Sequence, residues 1–518
     1  MLKVGKPYQV VFFTFLLSGF VTTAISAQEQ LLEKRFSFIF SNTPYEAVVD
    51  SLRHKVKCGF SYSPDIFPEK RRFSAVFLNQ KLSALLDSLL NPLSFTYKVV
   101  GNNVVFLKKE IALRESAGLS SVEQADTMKV LKLSGKVISC QDKKPIEFTS
   151  IYIRNRNIGT MSNIDGNFTI KVPKSSFTDS VYFSCIGYKP VHVMVGDFRP
   201  DGNIITLEIS NIQLKEVKVK PIDPKEILRK TLEGIRSNYS NHPLNLIAFY
   251  REVLRQDHQY VGLSEAVLNI YKASYNNFAN DQVSIYKGRR TRFNKQMDTV
   301  LFKFQGGIST SLMLDIAKNP SNFITDEYMV FYDFTLDEIV NVDGRYTYVL
   351  AFDQTDACPY PLYKGKLYID IESYALVRAD FAISPKAIDK ASDLLVQKSS
   401  RKLKVKPTFS SYIVNYTRLN STWYLNYIRE EVEFKVKRKY SLYSTSFHLK
   451  AEMLVTQTDS VNVRRIKFDK QVRYSDIFVD KIGKYDPEFW GSFNILQPDE
   501  SLEEAIEKIR TKLSSKSN

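Results

Sequence analysis

The side chains of this 518-residue chain that could do acid–base or metal chemistry lie far apart. None of the five histidines, His54, His192, His242, His258 and His448, opens an HxxE or HExxH pair, so a metallopeptidase centre has no visible ligands. No GxSxG elbow, Walker loop or GxGxxG fingerprint occurs. Carboxylates remain. An acidic pair drives glycoside hydrolysis when held at a defined separation, and Glu252, Glu265, Asp370 and Asp380 fall in strand-like segments that could meet in a cleft. Position along the chain does not supply that separation. The simpler reading makes Arg251 with Glu252, and Arg378 with Asp380, charge pairs on a wet sheet face. No catalytic residue, cofactor-binding residue or metal ligand is assigned, and no cofactor is expected.

Two further groups invite a chemical reading. Cys58, Cys140, Cys185 and Cys358 have no CxxC spacing, which speaks against a zinc knuckle or a redox pair. Cys140 and Cys185 fall within one expected domain, where they would either bridge in an oxidising compartment or act as small buried hydrophobes. The acidic-glycine step Asp165-Gly166 looks like part of a calcium loop. If the two held its fifth and sixth places, Met161 and Val172 would stand at the first and twelfth, and neither binds a hard cation. The step is therefore expected to turn a hairpin, the glycine supplying a positive φ.

The elements that would position these residues are mostly strands. Aromatic residues reach 13%, dominated by Phe and Tyr, which favours pleated structure. The length implies several domains. Lys3 and Lys6 precede an apolar run at 10–21 and the small residues "TTAISA", so 1–27 reads as a secretory signal peptide, too short in its apolar part to span a bilayer. The formal charge of +16 could meet anionic lipid, acidic glycan or nucleic acid, but export makes nucleic acid the poorest partner. The positive residues are spread along the chain and read as a solvated surface.

Residues 28–109 hold a repeated strand–helix–strand unit. In the first copy Thr43 is the expected N-cap, Pro44 the first helical residue and Glu46 the closing member of a capping box. Tyr45, Val48, Val49, Leu52 and Val56 then recur at helical spacing. In the second copy Leu82, Leu85, Leu86 and Leu89 share a face, and a hairpin turns at Gly101-Asn102-Asn103. "NTPYEAVVDSLRHKVKCGFSYS" and "LNQKLSALLDSLLNPLSFTYKVVGNNVVFL" resemble the short N-terminal domain of secretins and TonB-dependent transducers. That resemblance implies a docking and signalling module. Residues 110–128 read as a linker.

Six or seven short strands follow within 129–220, the pattern of a β-sandwich. "LSGKVISCQDKKPIEFTSIYI", "GTMSNIDGNFTIKVP" and "FSCIGYKPV" resemble the carboxypeptidase-regulatory-like domain over about 131–209, which implies a transthyretin-like sandwich that holds no zinc. "LKEVKVK" (214–220) is similar to the connector that precedes the plug of TonB-dependent receptors, but a helix follows instead. That connecting helix, in 221–243, should start at Asp223 as cap with Pro224 behind it.

Residues 244–490 are expected to form a large curved antiparallel sheet, a half-barrel with flanking helices. Val432, Phe434 and Val436 alternate with Glu431, Glu433, Lys435 and Lys437, giving one buried and one wet face. A complete outer-membrane barrel competes, against the mixed Glu/Lys faces and the terminal helix. "YKGKLYIDIESYALVRADF" resembles a hairpin of the periplasmic lipoprotein-carrier family. "FYREV", "SEAVLNIYKA" and "YDPEFWGSFNIL" are similar to an uncharacterised family of envelope proteins. Residues 491–518 should hold an amphipathic helix, boxed by Ser501 and Glu504, that docks rather than enters a membrane.

The expected fold class is thus multidomain and mainly β: a small α+β domain, a transthyretin-like sandwich and the large curved sheet. The function expected first is a non-enzymatic protein of the periplasm or outer membrane. It would bind envelope proteins or a lipid or glycan ligand, with an apolar ligand or protein partner on the C-terminal sheet and peripheral membrane association as further expectations. Two alternatives stand: a glycan-acting hydrolase using Glu252 or Glu265, and a signalling accessory acting through 28–109.

Overall fold

A computed structural model describes residues 31–62, 72–90, 95–100, 103–108, 129–210, 222–292, 302–304, 307–320, 324–399, 403–439, 441–461, 463–473, 476, 478–484 and 490–514. The expected signal peptide, the expected linker and "LKEVKVK" lie outside the described residues. Contacts divide the chain into two compact units, Met1–Ser120 and Ser121–Asn518.

The first unit contains β1 (Arg35–Pro44), α1 (Tyr45–Val56), β2 (Gly59–Ser61), β3 (Arg72–Lys81), α2 (Leu82–Leu90), β4 (Phe95–Val100) and β5 (Asn103–Lys108). β1 pairs with β3, and β5 lies between β2 and β4, with Val100 opposite Asn103 across the expected hairpin. The helical stripes Tyr45–Val56 and Leu82–Leu90 are buried as their spacing requires. One detail differs. Thr43 stays extended, paired with Phe73 in β1, so the N-cap moves to Pro44, whose pyrrolidine cannot cap. Ladder pairing of the strand outcompetes the box.

The second unit opens with β6 (Val130–Ser139), β7 (Ser150–Ile153), β8 (Ile158–Met161), β9 (Asn167–Pro173), β10 (Ser180–Ser184), β11 (Val191–Met194) and β12 (Asn203–Leu207). β12-β6-β9 form one layer of the sandwich and β11-β10-β7-β8 the other. Val137, Ile151, Phe168, Ile170, Val181, Phe183 and Leu207 fill the space between them. The Asp165-Gly166 step turns between β8 and β9, with Gly166 at φ +75. Asn163 Oδ1 accepts from the amides of Asp165 and Asn167 and sets that turn. All four cysteines, including Cys140 and Cys185, are free thiols.

Next come α3 (Pro224–Asn238), β13 (Leu244–Gln256), β14 (Gln259–Lys272), β15 (Gln282–Arg292), β16 (Phe302–Phe304), α4 (Ile308–Met313), α5 (Asp326–Met329), β17 (Tyr332–Val342), β18 (Arg345–Gln354), β19 (Tyr363–Asp370) and β20 (Leu376–Ile383). The chain closes with α6 (Ser392–Leu395), β21 (Val396–Ser399), β22 (Leu403–Leu419), β23 (Thr422–Arg438), β24 (Ser444–Asp459), β25 (Gly483–Lys484) and α7 (Glu500–Ser514). Asp223 caps α3 through the Lys225 amide, with Pro224 behind it, as expected. The long strands form a curled half-barrel, and one of the sandwich's layers is continuous with it through β8 and β24, giving a sheet of 15 strands among the described residues.

The inner face of the half-barrel is occupied by the chain's own helices. Ile227 and Leu228 of α3 and Ile308 and Leu312 of α4 share one apolar core with Tyr250, Leu268, Leu350, Val414 and Met453 of the strands. An apolar ligand on that face would have to displace them. Beneath the helices, Asp315 is fully buried yet satisfied: Lys272 Nζ lies 2.6 Å away, and Tyr275 and Tyr416 donate hydroxyl bonds of 2.7 and 2.8 Å.

The outer face is crossed by residues 490–500, a strap that ties the half-barrel to the sandwich. Trp490, Phe493 and Leu496 pack on Ile247, Phe249, Val267 and Met161. The Asn494 side chain imitates a neighbouring strand, accepting from the Lys171 amide at 2.6 Å and donating to the Lys171 carbonyl at 3.0 Å. Asn163 donates to the Pro498 carbonyl, and Asp165 accepts from the Glu500 amide at 2.8 Å. The hairpin corner therefore also receives the start of α7. There Asp499, not Ser501, is the cap: its carboxylate accepts from Leu502 N and from the Ser501 hydroxyl. An aspartate one turn before the amide outbids a serine already inside the helix.

Candidate functional site

The four candidate carboxylates go to four different places. In a strand, neighbours point to opposite faces, and register decides which meet. Arg251 stands opposite Glu265 and Glu252 opposite Ser264, so Glu252 and Glu265 face opposite sides of the sheet. Glu265 lies on the outer face, buried between Arg251 and Arg289, each 2.8 Å away. The expected Arg251–Glu252 pair does not form, because adjacent residues cannot share a face, and Arg251 is buried rather than wet. Asp370 is bound by Arg345 and by the amide and hydroxyl of Ser373, which hold its carboxyl below the usual range against the opposing effect of burial. Asp380 does pair with Arg378, at 2.6 Å. Paired this way, none of these acids is placed opposite another.

Asp380 and Arg378 lead to the seam between the sandwich and the half-barrel, which encloses a cavity of about 220 Å³. Its floor is a row across adjacent strands, Tyr368 opposite Arg378 and Arg378 opposite Asn415. Its roof is the turn at Phe148 and the β7 residues Ser150 and Tyr152, with Ser184 and Cys185. The turn Asp343-Gly344 closes one end, both residues at positive φ as a tight hairpin requires, and Asp343 accepts from the Tyr152 hydroxyl. Burial raises the Asp343 carboxyl, opposed by Arg154.

Phe148 organises this seam. Its ring lies 5.4 Å beneath the guanidinium of Arg378, 5.4 Å from that of Arg429 and 5.7 Å from the ring of Tyr427. Its backbone sits at φ +56, a left-handed conformation uncommon for a bulky aromatic residue. Such strain persists only where surrounding contacts impose it, and it concentrates at ligand clamps and other working sites. On the far side of Phe148, a second cavity of about 30 Å³ between Arg251, Lys450 and Glu452 has room for about one water. Behind its lining residues Arg429 and His448, Glu431 is held down to about 2; burial opposes this, but His448 and Arg429 prevail.

The seam can bind polar groups through paired cations and anions set among aromatic rings. Its thiol is not a ready nucleophile, because burial pushes Cys185 up to about 11 and keeps it protonated at neutral pH. Among the described residues, no three of His, Cys, Asp and Glu converge where a metal ion could sit.

One carboxylate pair escaped sequence reasoning. Glu252 of β13 and Glu430 of β23 both stand opposite Ala451 of the intervening β24, so all three point to the inner face. Tyr250 donates to Glu252 at 2.8 Å, and Ser311 of α4 donates to Glu430. Burial pushes each acid up to about 7, the Tyr250 and Ser311 hydroxyls opposing, and for Glu430 the nearby Glu252 adds to the rise. The two residues are remote in the chain, and only the identity of their shared neighbour brings them together. The signal that could have been read was polar residues on an otherwise apolar alternation.

Residues 133–219 match the CarboxypepD_reg-like domain family. No curated protein matches the chain. Among solved structures, a LolA superfamily protein from Nitrosomonas europaea is 12% identical, over 49% of this chain and 98% of that one, at a TM-score of 0.20. A DUF1329 family protein from Desulfovibrio piger is 12% identical, over 47% and 96%, at 0.19. A protein of unknown function from Bacteroides fragilis, described as membrane-associated, is 11% identical, over 64% and 99%, at 0.13. TM-scores this low carry no weight for the site. The stretch at 133–219 contains a CarboxypepD_reg-like domain.

Proposed function

We propose that this chain is a non-catalytic binding protein of the cell envelope, in the periplasm or at the outer membrane, and that its ligand seats in the seam between the sandwich and the half-barrel. The observation that carries the reading is the strained Phe148, clamped between Arg378 and Arg429 beside a cavity of about 220 Å³. Small-molecule pockets usually span about 300–1,000 Å³. A smaller cavity suits one compact polar group, free or carried on a partner protein, better than lipid chains. The glycan-hydrolase reading is less well supported, since its two candidate carboxylates face opposite sides of the sheet. The N-terminal unit would add a docking function of its own.

The test is to recover the protein from its native envelope and compare co-purified small molecules and cross-linked proteins between wild type and Arg378→Gln. Enrichment in the wild type that falls several-fold in the variant supports the seam. Recovery of nothing above control, or turnover of a glycan panel abolished by Glu252→Gln or Glu265→Gln, overturns the reading.

A further inference from the structure

The lysines of β22 and β23 read along the chain as ordinary solvated charge, but pairing collects them. Lys404 stands opposite Lys437, and Lys406 opposite Lys435. Like charges directly opposite one another repel. All four side chains are exposed, and among the described residues none makes an ion pair. The other face of the same ribbon is fixed by Val405 opposite Val436, both part of the inner core, so the lysines all project outward. Of β22, only residues 412–415 pair with β20, so among the described residues β23 is the only strand whose ladder reaches the lysine-bearing half.

The adjoining turn between β23 and β24 carries the apolar counterpart. Leu442 is 89% exposed and Tyr443 84%, while Ser441 holds the turn by bonding the Tyr443 amide and carbonyl. Phe409, 43% exposed, lies on the lysine face opposite Glu433, the one acid in that part of the ribbon. Four unpaired cations beside protruding Leu and Tyr side chains match the two components of interfacial binding, attraction to anionic headgroups and burial of apolar tips at the acyl boundary.

We infer that the free end of the β22–β23 ribbon and the turn at 441–443 dock on a bilayer rich in anionic lipid. A soluble polyanion would satisfy the lysines but gives Leu442 and Tyr443 nothing to enter. This surface does not depend on the seam, and either can fail alone.

The experiment is co-sedimentation of the mature chain with vesicles of phosphatidylcholine alone or mixed with phosphatidylglycerol. Binding is expected only to the mixed vesicles and should weaken with salt. It should fall by more than about tenfold when Lys404, Lys406, Lys435 and Lys437 are all changed to Glu, and several-fold in the Leu442→Ser, Tyr443→Ser double variant. These side chains are exposed, so unchanged thermal unfolding verifies that each variant is folded. No binding by the wild type, equal binding to neutral vesicles, or lysine-dependent binding indifferent to the Leu442 and Tyr443 changes would overturn the proposal, the last indicating a soluble polyanion.

Discussion

Glu252 and Glu430 illustrate how much a single cross-strand neighbour can decide. Each carboxyl is carried into an apolar face and keeps its proton to about pH 7, whereas an unfolded glutamate releases it near 4.5. The folded state therefore binds more protons than the unfolded one across that window, so stability falls as pH rises from about 4.5 to about 7. The loss is roughly 3 kcal/mol for each acid. Thermal unfolding followed from pH 5 to 8 should show a falling midpoint in the wild type and a much flatter one in the Glu252→Gln, Glu430→Gln double variant. An equal slope in both would remove the acid pair as the cause. Glu431, held at about 2, acts in a separate window: its contribution is present above 4.5 and is lost as pH falls towards 2. Alternation in the sequence assigned Glu431 correctly to the outer face. The same alternation puts Glu430, one residue earlier, on the buried face, but it could not show that Ala451 would set Glu252 beside it.

The strap at 490–500 is an irregular segment that works as a structural element. Its asparagine replaces a missing strand, and its Trp490 ring lies 5.4 Å from Phe249 in an edge-on contact. Asn494→Ala would leave the Lys171 amide and carbonyl without these partners in a partly buried site, costing about 1–3 kcal/mol. Chemical denaturation of wild type and variant checks that figure. Asn494→Asp, which keeps an acceptor for the amide but loses the donor, should be intermediate. Long regular strands were readable in advance: β13 coincides with "LNLIAFYREVLRQ", and β23 follows the expected alternation over residues 431–437. The strap was not, because nothing periodic marks a segment whose hydrogen bonds go to side chains and to one remote strand. The helix cap at 44 differs from expectation for a related reason, since the strand partner of Thr43 is the distant Phe73; at 499 the competitor is local, an aspartate two residues before the expected serine.

For the molecule as a whole, the sandwich and the half-barrel form one mechanical body. The pairing of Gln457 with Ile158 at β8–β24, the strap and the contact of Phe148 with Arg378 all cross the junction. A fragment covering 121–518 should unfold in a single calorimetric transition, and 129–220 expressed alone should be markedly less stable than the same residues in the longer fragment. Two resolved transitions in the longer fragment would contradict this. The sequence determined the pieces: doubled strand–helix–strand units, a sandwich turned at Asp165-Gly166, and long strands with one apolar face. Local propensity and alternation suffice for these because they depend on neighbours within a few residues. Only the tertiary structure decided which faces meet, that the inner face is filled by α3 and α4, that Glu252 and Glu265 part while Glu252 and Glu430 converge, and that four distant lysines share one surface. Those outcomes rest on strand register, which within a hairpin is set by its turn and bulges and between distant strands by packing across hundreds of residues.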